Sequence, residues 1–425
     1  MKSQDISSVC VLGLGYIGLP TAALMASRGL RVMGVDTNPE IIETVGRGSI
    51  HITEADLDGL VQKCVRSGML TTHPAPAPAD VFIIAVPTPL SGNRRPIVDH
   101  VMSAARSIAP HVVRGSLIII ESTCPIGTTE KIRDLIAKAR PDLNLEIENG
   151  AEPDVYIAYC PERVLPGRIL MELVQNDRCI GGITAFCSAK ARGFYELFVN
   201  GRCIETQART AEMVKLTENA YRDTNIAFAN ELSMICDEVD VDVWDVIELA
   251  NRHPRVNILR PGPGVGGHCI AVDPWFIVDA APSAARLIRT SRDVNDGKAD
   301  YVFDQINLLM EDYPEYRLAC LGLTFKANVD DLRESPAVEI VERLAKAHGS
   351  RVSVVEPHVK QLPVNIARFG VRKATLDEAL SEADIVAVLV DHEAFARVPA
   401  QKRNGAIVYD TRGIWRDAGR SARNH

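Results

Sequence analysis

The sequence lacks any run of basic residues interleaved with aromatics, and its 425 residues carry a formal net charge of −8. Both features argue against nucleic acid as a partner. No apolar run reaches membrane-spanning length, which argues against a membrane partner as well. The opening MKSQDISSVC lacks the basic flank, long apolar stretch and small-residue cleavage site of a secretory signal. Ten cysteines are scattered without a CxxC pair or zinc-like spacing, so reduced thiols in a cytoplasmic protein are expected, and no metal. The length suggests two or three domains, and 46% hydrophobic residues suffice for a sizeable core. A negatively charged ligand would need a local cluster of arginines.

From Val9 the grammar is strand, glycine turn, helix, strand: VCVLGLGYIGLP, TAALMASRGL, RVMGVDTN. Gly13, Gly15 and Gly18 form GxGxxG, and Asp36 follows 18 residues after the last glycine. The first glycine permits the turn, the second lets backbone approach a pyrophosphate, and the third allows close helix packing. The helix start behind them offers amide donors to phosphate. Asp36 would accept hydrogen bonds from a ribose diol and repel a 2'-phosphate, which favours NAD over NADP.

Further apolar strands are predicted at Asp80 to Val86, Ser116 to Glu121 and Val155 to Cys160, each running into a polar end. In doubly wound sheets these ends face the ligand, so Thr88, Thr123 and Thr129 are candidates to touch cofactor or reacting water. Hydroxyls capping helix starts are an equal alternative. Glu162 and Arg163, in CPERVLPG, arrive at a strand end with a carboxylate and a fork of donors; surface solvation is the plainer reading. Arg209 to Val239 contains no glycine or proline and reads as one long helix, a natural joint between domains or dimer contact. Lys215, Asn219 and Arg222 share one polar face at i, i+4 and i+7, and Met213, Leu216, Ala220, Ile226 and Leu232 form an apolar face expected to be buried.

Arg260 to Trp275, RPGPGVGGHCIAVDPW, is too rich in glycine and proline to continue a helix or central strand and reads as an ordered loop. Gly266 and Gly267 would let a bulky ligand approach the backbone near Cys269, and Asp273 follows four residues later. The alternative is a packed turn with Cys269 as a small buried hydrophobe. His268 is set aside as a catalyst. From about Tyr316 the strand grammar starts over: ADIVAVLV echoes ADVFIIAV and VSVVE echoes VMGVD, without a full GxGxxG. A second, smaller Rossmann-like unit is expected, with Lys326, Arg333 and Arg412 as positive groups in its strand-end loops. The expected fold is thus α/β, two Rossmann-like doubly wound domains joined by a long central helix and helical linker. The boundaries are 1–205, 206–312 with the cysteine loop, and 313–425.

With GLGYIGLP, STCPIGTT, CPERVLPG, KLTENAYRD, GVGGHCIAVDP and FKANVDDLRESP in order, the chain resembles the UDP-sugar and GDP-sugar 6-dehydrogenases along essentially its full length. The HCIAVDPW form of the loop, preceded by NRHPRVNILRPGPG, looks like the branch acting on UDP-N-acetyl-D-mannosamine. Val272 stands where the glucose and GDP-mannose branches usually carry lysine, and UDP-N-acetyl-D-glucosamine remains the alternative UDP-N-acetylhexosamine. The resemblance implies oxidation of C6 from alcohol to carboxylate with two NAD reduced in succession, Cys269 holding a thiohemiacetal and then a thioester. It implies a homodimer and a place in surface-polysaccharide synthesis of the enterobacterial common antigen type. A fold-retaining, non-catalytic regulator is the competing class.

By the same resemblance Lys215 favours thiolate, stabilises oxyanions or takes the alcohol proton, and Asn219 shares the oxyanion role. Asp273, Thr123 and Glu162 hold or activate water, Glu162 as general base for thioester hydrolysis. Tyr16, Ile17, Asp36, Thr88, Thr129 and Arg333 join Gly13, Gly15 and Gly18 at NAD. Arg163, Val164, Lys215, Asn219, Arg222, His253, Arg255, Gly266, Phe325, Lys326 and Arg412 line the nucleotide sugar.

Overall fold

The structure, a computed structural model, describes residues 6–145, 152–165, 167–403 and 405–416. The segment RDAGRSARNH, to which the sequence assigns no role, lies outside these apart from Arg416. The chain forms two compact units, Met1–Glu218 with Trp275–Ala280, and Asn219–Pro274 with Ala281–His425.

The first unit is built on eight strands: β1 (Ser8–Leu12), β2 (Arg31–Val35), β3 (Leu70–His73), β4 (Val81–Ile84), β5 (Leu117–Ile120), β6 (Tyr156–Tyr159), β7 (Arg178–Gly182) and β8 (Cys203–Gln207). Their order is β3-β2-β1-β4-β5-β6-β7-β8, parallel except where β7 runs against β6. The first six follow the dinucleotide-binding order, whose switch point lies between β1 and β4. Successive residues of a strand point to opposite faces, and both faces here are covered. Val9 and Val11 enter one core while Cys10 and Leu12 enter the other; Ile83 and Ile119 oppose Phe82, Ile84 and Ile118 in the same way. This is why β1, β4 and β5 read as continuous apolar runs. The strands that sequence reasoning passed over are polar or glycine-bearing: LTTH, RCIGG and the mostly exposed CIETQ.

The second unit repeats the plan in β9 (Leu318–Leu321), β10 (Val352–Val355), β11 (Arg372–Lys373), β12 (Ile385–Val388) and β13 (Ile407–Asp410), all parallel, in the order β11-β10-β9-β12-β13. Leu318 and Cys320 face one core, Ala319 and Leu321 the other. The expected second Rossmann-like sheet is therefore present, with the same switch between its first and fourth strands.

The long helix spans Ala208–Glu238, within one residue of expectation at each end. Its predicted apolar face is only partly buried. Leu216 and Ala220 are inside, whereas Met213 is 39% exposed. A different set of apolar side chains, Tyr221, Phe228 and Ile235 at seven-residue spacing, stands out in the open at 69, 58 and 48%. Seven residues is close to two helical turns, so these three form a single stripe.

Candidate active site

At the switch point of the first sheet the three glycines have three separate reasons. Gly13 adopts φ +93°, and a methyl group on it would meet the Ala85 carbonyl at 2.3 Å. At Gly18, the first residue of the helix Gly18–Ser27, a methyl would sit 1.8 Å from the Gly13 carbonyl oxygen. Gly15 has no protein atom within 4 Å of that position. Nothing in the protein's own packing demands glycine there, and an approaching phosphate group would. The helix behind it carries no acidic residue in its first turn. Asp36, half-buried at the end of β2, is locked by the Leu14 amide on one oxygen and the Asn38 amide on the other, both at 2.9 Å. These residues fit a dinucleotide.

Along the same edge Ser122 ties β4 to β5, accepting from the Val86 amide at 2.8 Å and donating to the Val86 carbonyl at 2.7 Å. Thr88 donates to the Thr123 carbonyl at 2.6 Å. Thr129 is fully buried in the helix Thr128–Ala139. Its hydroxyl (2.6 Å) and amide (2.8 Å), with the Gly127 amide (2.6 Å), all donate to Glu212 of the long helix. Sequence reasoning missed Glu212; its signal is a carboxylate one turn before Lys215. Burial pushes the Glu212 carboxyl up, against the pull of Thr129 and the Gly127 amide.

Glu162 and Arg163 leave β6 together. Glu162 is buried, with one oxygen accepting from the Arg163 amide at 2.8 Å and the other from the buried guanidinium of Arg178. Arg163 pairs with Glu218 of the long helix at 2.8 Å, beside half-exposed Val164. Lys215 is half-buried, Asn219 buried and Arg222 exposed, so the one polar face seen in sequence is graded from inside to outside.

In the second unit the cysteine loop is pinned at both ends by asparagines of the long helix. Asn230 accepts from the Gly262 amide at 2.9 Å and donates to Asn295 at 2.9 Å. Asn219 donates to the carboxylate of buried Asp273, which opens the helix Asp273–Ala280. The two asparagines lie eleven residues, about three turns, apart and so on one face of the helix. Asn230 is set in turn by Asn295 and Asp223, which shares a buried ion pair with Arg292. None of Asp223, Asn230, Arg292 and Asn295 was foreseen. Cys269 itself is exposed, its carbonyl accepting from the Val272 and Asp273 amides, so the packed-turn alternative does not hold.

The glycine pair is explained differently from expectation. A methyl on Gly266 would meet the Glu334 carbonyl at 2.4 Å, Pro336 at 2.8 Å and Phe325 at 2.9 Å; one on Gly267, at φ +81°, would meet the Phe325 ring at 2.9 Å. The protein's own segment Phe325–Pro336 fills the space assigned to a ligand, and the Gly267 amide donates to the Arg333 carbonyl. Arg333 is exposed and grips Asp331 with two nitrogens, while Lys326 is exposed. Arg412 bonds Asp391 at 3.0 Å and lies against Gly262, where a methyl would fall 2.2 Å from its guanidinium. His253 and Arg255 lie on the exposed turn after the helix Val243–Ala250, linked by an Arg255 amide to His253 Nδ1 bond of 3.3 Å.

The second sheet also carries an acid at the place of Asp36. Glu356 accepts from the Leu323 and His358 amides at 2.7 and 2.8 Å, as Asp36 accepts from Leu14 and Asn38. It is wholly buried against His392 at 3.2 Å. Burial would raise it, but His392 and the amides prevail and hold it below the ordinary carboxylate range.

Two doubly wound sheets, one with a glycine turn and an acid that fit a dinucleotide, and a loop that presents a thiol are the features of a dinucleotide-dependent oxidoreductase. Matches to the UDP-glucose/GDP-mannose dehydrogenase family cover its NAD binding domain at residues 7–199, its central domain at 209–297 and its UDP binding domain at 319–417. The chain belongs to this family, the NAD-dependent nucleotide-sugar dehydrogenases. It is 56% identical over 411 residues to the NDP-N-acetyl-D-galactosaminuronic acid dehydrogenase of Ralstonia nicotianae, covering 97% of each chain. It is 52% identical to the UDP-N-acetyl-D-mannosamine dehydrogenase of Escherichia coli K12, covering 97% of this chain and all of that one. Among solved structures, the UDP-D-ManNAc dehydrogenase of Pyrococcus horikoshii matches with TM-score 0.87 at 37% identity and 97% coverage of both. The UDP-N-acetyl-mannosamine dehydrogenase of Staphylococcus aureus matches with TM-score 0.82 at 40% identity, covering 98% of this chain and 96% of the other.

Three outcomes follow from this geometry. Gly15→Ala keeps the unfolding midpoint and weakens NAD binding at least about tenfold by fluorescence titration, because the added methyl meets only ligand. Gly18→Ala instead lowers the midpoint, since the helix must move off Gly13. Asn230→Ala strands the buried Gly262 amide and costs about 1–3 kcal/mol in denaturant unfolding.

Proposed function

We propose that this enzyme oxidises C6 of a UDP-N-acetylhexosamine to the uronate, with UDP-N-acetyl-D-mannosamine as preferred substrate and two NAD reduced per sugar. The observation that carries the reading is the loop held by Asn219 and Asn230, which keeps Cys269 exposed while burying Asp273 four residues away. The mannosamine assignment leans on the HCIAVDPW loop and on the relatives named for that sugar. A second reading, an acetamido sugar of galacto configuration, is favoured by the 56% identity to the Ralstonia enzyme.

NAD, held by Gly13, Gly15, Tyr16, Ile17, Gly18, Asp36, Thr88, Thr129 and Arg333, supplies the hydride acceptor. Lys215 takes the C6 alcohol proton and Asn219 steadies charge on the C6 oxygen. The Cys269 sulfur adds to the aldehyde carbon, and the thiohemiacetal loses a second hydride to become a thioester. Glu162, with Thr123 and Asp273, activates the water that adds to the acyl carbon as the C–S bond breaks, freeing the thiolate and the uronate. Arg163, Val164, Arg222, His253, Arg255, Gly266, Phe325, Lys326 and Arg412 hold the UDP-sugar; a diphosphate calls for such a concentration of guanidinium groups. We place the reaction in the cytoplasm, where ten thiols stay reduced, and its product in surface-polysaccharide synthesis. The active form is a homodimer built on the long helix, supported by the open stripe Tyr221, Phe228 and Ile235.

NADH formation with the UDP-linked N-acetyl-mannosamine, -galactosamine and -glucosamine tests the substrate. Equal or reversed preference removes the mannosamine assignment, and silence with all three points to a binding regulator. Cys269→Ser releases at most one NADH per sugar and cuts uronate output at least about 100-fold; undiminished uronate rules out the thioester. Phe228→Asp gives a monomer in light scattering, and a variant that keeps the wild-type mass overturns the helix interface.

A further inference from the structure

Behind Glu162 the first unit holds a second buried carboxyl that the mechanism above does not use. Glu121 ends β5, its amide donating to the Ile84 carbonyl at 2.9 Å, and its side chain turns into the interior. One oxygen, Oε1, accepts from the Tyr195 hydroxyl at 2.7 Å; the other, Oε2, is buried with no hydrogen-bond partner. Tyr195 comes from the helix Ala185–Tyr195, and the Arg178 guanidinium of β7 lies over its ring at 5.1 Å. The same guanidinium binds the inner oxygen of Glu162, with both side chains at most 4% exposed. Cys160, buried at the end of β6, completes the set of titratable groups facing Glu121.

Glu162 thus pairs with the guanidinium, and Glu121, joined to it through Tyr195, lies near enough to feel its charge, all out of water. With both ionised the cluster carries a net negative charge that burial penalises; with one protonated it is neutral. Tyr195 and Cys160 do not alter the count, because burial pushes the phenol well above its ordinary range and the thiol up to about 12, so both stay neutral. The partnerless Oε2 marks Glu121, rather than doubly bonded Glu162, as the carboxyl that carries the proton.

We infer that Glu121 is a positioning residue that sets how firmly Arg178 holds Glu162: protonated, it leaves Glu162 as the one anion near Arg178, and ionised, it competes for the charge of that guanidinium. The inference rests on Glu162 activating the hydrolytic water. A second negative charge near the ion pair loosens Arg178's hold on Glu162 and frees that carboxylate for the attacking water, so thioester hydrolysis quickens as Glu121 ionises. Burial, and then the neighbouring Glu162, push Glu121 up to about 7, against the pull of Arg178 and Tyr195, which centres the rise near neutrality.

The test is single-turnover hydrolysis in the full-length enzyme with NAD and the C6 aldehyde of the UDP-N-acetylhexosamine that it turns over, following uronate after the second hydride transfer. Wild type shows an increase of about tenfold through neutral pH. Glu121→Gln, whose amide oxygen still accepts from Tyr195, keeps alcohol oxidation but stays at the acid-side rate, and Glu121→Asp restores the rise. A wild-type profile in Glu121→Gln, with hydrolysis lost in Glu162→Gln, overturns the inference and leaves the role of Glu162 standing. Wild-type hydrolysis in Glu162→Gln removes that role and the inference with it. Should Glu121→Gln not fold, the infrared carbonyl band of a protonated carboxyl in wild type at neutral pH, displaced in Glu121→Asp, supports the inference; its absence overturns it.

Discussion

The cysteine loop depends on a pair of asparagine side chains. A stretch dominated by glycine and proline has almost no secondary structure to hold it, and ordering it costs conformational entropy at every residue. Asn230 and Asn219 supply the missing constraint from the long helix, one at the loop's entry through the Gly262 amide, the other at its exit through Asp273. Each is buried, so the bonds are made out of competition with water and their loss leaves polar groups stranded. Arg292, Asn295 and Asp223 fix Asn230 in turn, and the Arg333 carbonyl and Arg412 hold the loop's other side. Cys269 is thereby exposed on a rigid support, which is what a nucleophile needs to be reachable yet oriented.

Much of this was legible beforehand, for reasons of periodicity and backbone sterics. Strands buried on both faces must be apolar throughout, so β1, β4, β5, β9 and β12 announce themselves; the edge strand β3 and the exposed β8 do not, because half or more of their side chains meet water. Two glycines of the turn, Gly13 and Gly18, were readable because each answers a steric demand of the protein's own packing, while Gly15 faces open space. The supporting polar residues were not. Asn230, Arg292, Glu212 and Glu121 are ordinary helix or strand-end residues in sequence, and only the packing of distant segments gives them partners 65 to 85 residues away.

Gly266 and Gly267 show the converse error. The expectation of close approach there was sound, and on the side where a methyl would stand the approaching group is Phe325 of the same chain. Glycine reports that something comes near, and sequence alone does not say what. On the long helix the pattern also misled: Met213 reads as core and is open, as are Tyr221, Phe228 and Ile235 on their own stripe.

The two sheets treat the same carboxylate position in opposite ways. Asp36 is only half-buried, while Glu356 is sealed beneath His392 and serves its own loop. Of these two acids only the former is open to a ribose, so the oxidation proposed above would have one such acid for its electron carrier. On that proposal the spent carrier would leave and a fresh one settle while the half-oxidised sugar waits, and a tether through sulfur is the kind of bond that outlasts such an exchange.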